Sequence, residues 1–401
     1  MEQHVASLLA IAVLAVLAPL ASRAIGRLVR VPVVVFELAL GILAGPSLLN
    51  LIQPGEVVST LSEFGLALLF FVAGTEIQAS ALRGRTGQRA WMGWFVSVIA
   101  GVAVGWLLVP GEPAVIIGIA LTSTALGTLL PILRDAGEMK TPFGKAVSAL
   151  GTVGEFGPLI AISVFLGGRN PGVATLVLLL FAVIAGFAVW FAMRVPKGRL
   201  HEIVSATLHT SGQFAVRAMF LIIAVLVALS IVLQIDLLLG AFTAGVVWRL
   251  AMREAAESDQ KAVESKVEGI AFGFFVPIFF IYTGVTFDLQ ALIDDPGLLA
   301  YVALALLAML VVRGIPSTIV AEPGATLRER ASLLLMGSTG LPIIVAVTSI
   351  GVSEKILTTA HAAILVGAGM LSVLIFPLVA MGLRGESPRQ IGPFPQDDDV
   401  A

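Results

Sequence analysis

The sequence predicts an all-α polytopic membrane protein of about thirteen transmembrane helices, built as two inverted six-helix repeats with crossing broken helices. Three observations predict it. The 401 residues are 58% hydrophobic and only 12% charged, with mean hydropathy +1.02, whereas soluble domains carry about 25% charged residues. The apolar residues fall in blocks near the ~20 residues that a bilayer crossing needs, without the roughly ten-residue alternation of a membrane barrel. Two of those blocks are interrupted midway by matching glycine, Ser-Thr and proline steps.

The blocks run over about 5–22, 31–50, 58–80, 88–109, 113–134, 142–167, 171–193, 211–233, 236–252, 266–286, 298–320, 328–352 and 359–383. The first lacks a small-residue cleavage site after a basic start and is read as a retained helix. Arginine and lysine then fall on alternate loops. One side holds Arg23, Arg27 and Arg30, then Arg83, Arg85 and Arg89, then Arg134, Lys140 and Lys145, and so on to Arg384 and Arg389. The other side holds only Arg169 and Lys355, and Arg217 and Arg313 lie inside blocks. The positive-inside rule places the N-terminus outside and the C-terminus in the cytoplasm of a multi-pass inner-membrane protein. One missed or extra helix would scramble this alternation downstream.

Small-residue motifs at Gly41–Gly45 and Gly101–Gly105 are read as close helix packing. The fifth block is interrupted at Thr122-Ser123-Thr124, between Gly118 and Gly127 and ahead of Pro131. The twelfth is interrupted at Ser338-Thr339, between Gly337 and Gly340 and ahead of Pro342. Glycine and proline weaken a helix, and hydroxyls satisfy the freed backbone. With the seventh block (171–193) as a linker helix, the interruptions take equivalent places in inverted halves of about 5–167 and 211–383. Such paired interruptions point to a secondary-transporter site.

The sixth block carries one carboxylate, Glu155, near its centre. Helical spacing puts Ser148, Thr152, Glu155 and Ser163 on one face, an oxygen-rich stripe that suits a proton or a small hard cation. A charge at bilayer depth costs several kcal/mol and is functional by default. Arg313 either neutralises Glu155 or another buried acid, or ties to backbone carbonyls or snorkels to the nearby surface. Glu76 is read as a packing or salt-bridge residue, Arg217 as structural, and Glu37 as interior with no assigned role. His4, His201, His209 and His361 have no second ligand at metal spacing.

Other classes are excluded by absence. There is no cysteine, so no disulfide or thiolate site. No GxxxxGK[ST] motif and no loop long enough for a nucleotide-binding domain are present. No cofactor and no nucleic-acid partner are expected. Residues 1–383 form one transmembrane domain. Residues 384–401, with Pro388, Pro393, Pro395 and Asp397–Asp399, are expected to be a short disordered cytoplasmic tail.

Four stretches carry a family resemblance. Leu68–Ile77, with Phe70, Phe71, Gly74 and Glu76, is similar to a third-helix LFxxGLEL pattern. Ala120–Ala125 is similar to ALSSTA, Leu239–Gly245 to LGAFLAG, and Phe274–Leu289 to FFVPxFFxxxGxxxDL. Together they resemble the monovalent cation:proton antiporter superfamily, of the bacterial sodium/proton and Kef-type potassium/proton kind, over roughly residues 10–383. The resemblance implies that Glu155 takes the place of the cation-binding aspartate. Gly154 departs from the Asp, Asn or Gln that usually precedes it, and Arg313 matches the basic residue of the eleventh helix. It further implies a homodimer, with an interface domain and a moving core of helices four to six and eleven to thirteen. The expectation is electroneutral exchange of sodium or potassium for a proton. Glu155 would be the shared site, lined by Ser148, Thr152, Thr122, Ser123, Thr124, Ser338 and Thr339, with Arg313 as charge partner. A non-exchanging pore or sensor, and a membrane enzyme using Glu155 as general acid/base, are the alternatives.

Overall fold

The computed structural model describes residues 2–25, 32–77, 84–166, 171–194, 213–252 and 257–384. The expected tail from residue 385, His201, His209, Arg27, Arg30, Arg83, Arg169, Lys197, Arg199, Arg253, Arg389 and the side chain of His4 lie outside the described residues.

The described regular structure is helical throughout. Helices α1 (Glu2–Ile25), α2 (Val33–Ala44), α3 (Glu56–Glu76) and α4 (Gly84–Leu108) lead into an interrupted pair, α5 (Glu112–Leu121) and α6 (Leu126–Asp135). Then follow α7 (Pro142–Phe165), α8 (Pro171–Arg194), α9 (Phe214–Val232) and α10 (Leu237–Met252). Next come α11 (Glu257–Ile270), α12 (Val276–Val285), α13 (Leu289–Asp294) and α14 (Gly297–Met309). A second interrupted pair, α15 (Leu327–Gly337) and α16 (Pro342–Ser353), precedes α17 (Thr359–Leu383). Ten of the described stretches are long and apolar enough to cross a membrane. Three shorter apolar helices, Val33–Ala44, Gly172–Phe187 and Leu237–Met252, fall on the remaining expected blocks.

The sequence explains where helices start, stop and loosen. Thr141 caps α7 by accepting from Gly144 N at 3.1 Å, with Pro142 at the first helical position, where no N–H is needed. Thr326 and Glu329 form a reciprocal capping box on α15. The second block ends early, at Ala44, because Gly45 precedes Pro46 and adopts an extended conformation, as a residue before proline prefers. The tenth block is longer than expected. There α11 runs through a widened turn, Ala271–Phe275, into α12. An identical device, Leu310–Gly314, follows α14. Each widened turn lies just upstream of a proline, Pro277 or Pro316, which removes a backbone donor and forces the ladder to slip.

Packing sorts most helices into two groups. Helices α1–α3, α9, α10 and α12 pack on one another, as do α4–α7 and α14–α17. The glycine motifs let helices approach closely. A Cβ on Gly41 would stand 2.1 Å from the Ile281 carbonyl, and one on Gly105 would stand 2.3 Å from that of Ala114. Only glycine lets these backbones meet so closely, which is the packing role read for both motifs.

Candidate functional site

The two interruptions meet in the middle of the second group. The chain leaves the helix after Leu121 and after Gly337, and restarts at Leu126 and Pro342. Between them, Ala125 N donates to the Thr339 carbonyl at 2.7 Å and Thr124 N to the Gly154 carbonyl at 3.1 Å. Thr124 Oγ1 donates to the Gly337 carbonyl at 2.6 Å. Backbone groups freed by the breaks are thus satisfied by each other and by α7, as burial demands.

Glu155 comes in from α7 and is 5% exposed. Its Oε1 accepts from Leu126 N at 2.9 Å and from Gly127 N at 3.4 Å. These are first-turn donors of α6, and a helix N-terminus offers both free N–H groups and positive dipole to an anion. The crossing therefore presents one carboxylate oxygen to the restarted helix.

Arg313 is fully buried, at 0% exposure, in the widened turn after α14. Its Nε donates to Thr124 Oγ1 at 2.9 Å and its Nη2 to the Leu150 carbonyl at 2.9 Å. No hydrogen bond or ion pair joins it to Glu155, and its Nη1 has no hydrogen-bond partner among the described residues. The guanidinium is held by a hydroxyl in the first break and a carbonyl of α7, the carboxylate by amides at a positive helix end. The crossing holds both charges without bringing them into contact.

Gly154 explains how the guanidinium fits. A Cβ there would stand 2.5 Å from both Cβ and Oγ1 of Thr124 and 2.9 Å from Arg313 Nη2. The side chain missing from position 154 leaves the space that Thr124 and Arg313 occupy.

The other expected residues are buried here, but most spend their hydroxyl protons locally. Thr122 donates to Ile119 O and Ser123 to Ala120 O, each at 2.9 Å. Thr152 donates to Ser148 O at 2.8 Å, Ser338 to Leu334 O at 2.7 Å and Thr339 to Leu335 O at 3.1 Å. Their lone pairs remain to accept or to coordinate. Ser148 is buried beside them on α7, while Ser163 Oγ, farther along α7, is buried without a hydrogen-bond partner among the described residues. Glu37 is buried on α2 and Arg217 is exposed on α9, both in the other packing group, and His361 pairs with Thr358 Oγ1 at 3.0 Å.

Sequence reasoning missed Ser372. Its Oγ accepts from Gly340 N at 3.1 Å and donates to Gly369 O at 2.7 Å, so α17 closes the second interruption. The available signal was a lone serine, followed by nothing polar, in an apolar helix.

Comparison with known proteins supplies the lineage. A profile described as sodium/hydrogen exchanger, transmembrane, matches residues 11–381. YjbQ of Bacillus subtilis, a candidate sodium/proton antiporter, is 29% identical over 408 residues, taking in 96% of this chain. That match covers 64% of YjbQ, so the chain spans less than two thirds of that relative's length. The sodium/proton antiporter of Enterococcus hirae is 24% identical over 372 residues, covering 88% of this chain and 92% of the relative. GerN of Bacillus cereus, named a sodium/proton-potassium antiporter, is 29% identical over 275 residues, 64% of this chain and 66% of GerN. In fold, the sodium proton antiporter MjNhaP1 of Methanocaldococcus jannaschii matches with a TM-score of 0.64 at 16% identity, over 96% of this chain and all (100%) of that one. Since the profile spans nearly every described helix, the chain belongs to the transmembrane sodium/hydrogen exchanger family.

Proposed function

We propose that the chain is a secondary transporter exchanging sodium or potassium for protons across the inner membrane, with Glu155 as the site that both ligands share. The observation that carries this reading is the Glu155 carboxylate held on the first-turn amides of α6, at 2.9 and 3.4 Å, where two interrupted helices meet. An interrupted crossing at membrane depth is where half-helix ends can receive an ion and its counter-charge. Family membership supports exchange over the pore and enzyme alternatives, and the named relatives support sodium, with potassium a second cation.

Exchange at one carboxylate is competitive. A proton or a cation neutralises Glu155, and neither leaves until the other side is reached. Arg313 supplies fixed charge and no second exchangeable proton, because a guanidinium keeps its proton at physiological pH. One proton therefore exchanges for one monovalent cation, without net charge movement. The N-terminus lies outside, the C-terminus in the cytoplasm, and the working unit is a homodimer in the bilayer.

Proteoliposomes test the reading. Sodium or potassium gradients should drive proton flux whose reversal point does not move under an imposed voltage. Glu155→Asp should retain part of this flux, because the charge survives. A reversal point that shifts with voltage, after correction for proton leak, overturns the one-to-one exchange.

A further inference from the structure

Pro158 is buried inside α7, one turn beyond the Gly154-Glu155 pair. We propose that it is a positioning residue for exchange: having no N–H, it leaves the Gly154 carbonyl free to hold the first break, and so sets Glu155 in register with the first turn of α6. This rests on Glu155 being the exchange site.

Inside an α-helix each carbonyl accepts from the N–H four residues on. The donor due to Gly154 O is residue 158, and proline has none. That carbonyl instead accepts from Thr124 N, across the crossing, at 3.1 Å. Thr124 lies in the break, outside both α5 and α6, and a buried N–H there must find an acceptor elsewhere. A donor missing from one helix thus meets a donor left over by the other.

Two absences four residues apart make this seat. At Gly154 a Cβ would stand 2.5 Å from Cβ and Oγ1 of Thr124, so the missing side chain admits the threonine. At Pro158 the missing N–H gives that threonine its acceptor. Thr124 passes its position on, because its Oγ1 donates to Gly337 O at 2.6 Å and accepts from Arg313 Nε at 2.9 Å. Two residues later, Leu126 N donates to Glu155 Oε1 at 2.9 Å. The break is therefore joined to α7 through neighbouring residues, by the Gly154 carbonyl and by the Glu155 carboxylate. Loss of the first bond frees the start of α6 to shift against the second.

Helix α17 supplies the contrast. Pro377 lies inside it and by the same rule withholds a donor from Val373 O. Yet α17 holds the second break through the Ser372 hydroxyl, which accepts from Gly340 N at 3.1 Å. A proline in the helix beside a break does not by itself make a backbone seat.

The test separates the missing donor from the proline ring. Pro158→Ala restores an N–H that competes with Thr124 for Gly154 O. Lactic acid at position 158, the α-hydroxy acid counterpart of alanine, is introduced by nonsense suppression. It lacks the ring as alanine does, but puts an ester oxygen where the N–H would be. Proton flux is measured in proteoliposomes of the full chain against sodium or potassium chloride, with choline chloride holding ionic strength constant. Pro158→Ala should raise the apparent cation KM about threefold to tenfold, as loss of one buried hydrogen bond would, with the saturating rate kept. The ester variant should have the wild-type KM, and so should Pro377→Ala. A wild-type KM in Pro158→Ala overturns the proposal, as does an equal rise in the ester variant or in Pro377→Ala. If Pro158→Ala does not fold, the ester variant decides: a wild-type KM supports the missing donor, and a raised KM or failure to fold overturns it. Failure of the underlying reading looks different: Glu155→Gln would then exchange normally, whatever residue stands at 158.

Discussion

At the first interruption a carboxylate from the following helix meets the restarted backbone; at the second a hydroxyl meets the backbone of the break itself. Glu155, 29 positions beyond Leu126, takes that residue's N–H. Ser372, 32 positions beyond Gly340, takes that residue's N–H. Both breaks pose the same problem, buried amides with no helical acceptor, and both solve it with a side chain from the next helix. Only the first solution uses a group that can exchange a proton for a cation. The difference teaches that interrupting a helix and placing an exchangeable carboxylate on the break are separate acts, and that the matching sequences encode the first.

The sharpest way to break this comparison is to remove each partner. Glu155→Gln should abolish cation-driven proton flux in vesicles and leave the fold intact. Ser372→Ala should keep flux within about threefold, and cost about 1–3 kcal/mol of stability through the buried Gly340 N–H left unsatisfied. Flux and thermal melting of the purified protein check both. A folded Ser372→Ala protein without flux would make the second interruption part of the transport chemistry.

A second effect should be nearly as large. Restoring a side chain at position 154 collides with Thr124 and Arg313, at 2.5 and 2.9 Å from the new Cβ. Gly154→Ala should cost about 1–3 kcal/mol, the usual range for overpacking, and Gly154→Asp more. Shortening the cation with Arg313→Lys should recover part of the Gly154→Asp loss. If the double variant melts no higher than Gly154→Asp alone, the guanidinium is not what fills that space.

Hydroxyl deletions should act more weakly. Replacing Thr122, Ser123 and Thr124 together with alanine should raise the apparent cation KM roughly threefold to tenfold, because Thr124 alone bridges the breaks and Arg313. The Ser338→Ala, Thr339→Ala pair should change KM less, since both hydroxyls serve the last turn of α15. An equal effect from the two sets would erase the difference between the interruptions.

The helix blocks, both breaks and the glycine contacts were legible because each is written in local spacing: block length, Gly-Ser-Thr steps, small residues every four positions. Glu155 was legible as an isolated charge in an apolar block. Contacts across helices were not. The period of α7 gives a polar face but not that Leu126 and Gly127 lie under it. The position of Arg313 along its helix says nothing of whether Thr124 or Leu150 stands opposite. Pro131 adjoins the first break in sequence, yet lies within α6, so the break is set by the backbone bonds of Thr124 and Ala125 instead. The departure at Gly154 was visible, but its reason needed the guanidinium three-dimensionally in place.

The smallest expected effect comes from another carboxylate at a helix start. Asp236 lies in the turn between α9 and α10, outside both helices, and its Oδ1 accepts from Leu238 N at 2.8 Å. Unlike Glu155, it caps the helix that it opens. Burial pushes its carboxyl up to about 6 from the ordinary 3.8, against the Leu238 N–H, which favours the charged form. A raised folded value means that the folded protein binds this proton more tightly than the unfolded chain. Its contribution to stability is therefore greatest below about pH 4, falls as pH rises through about 6, and is level above. Asp236→Asn keeps an acceptor for Leu238 and removes the partly desolvated charge. At pH 8 it should stabilise the protein by on the order of 1 kcal/mol, less than the full shift would give, because the side chain is only partly buried. At pH 4 it should do nothing, and the cation KM should not move at either pH. Melting curves at the two pH values and flux titrations check this. A changed KM would mean that a carboxylate need only start a helix to join the transport path, and the distinction drawn between Glu155 and a local cap would fail.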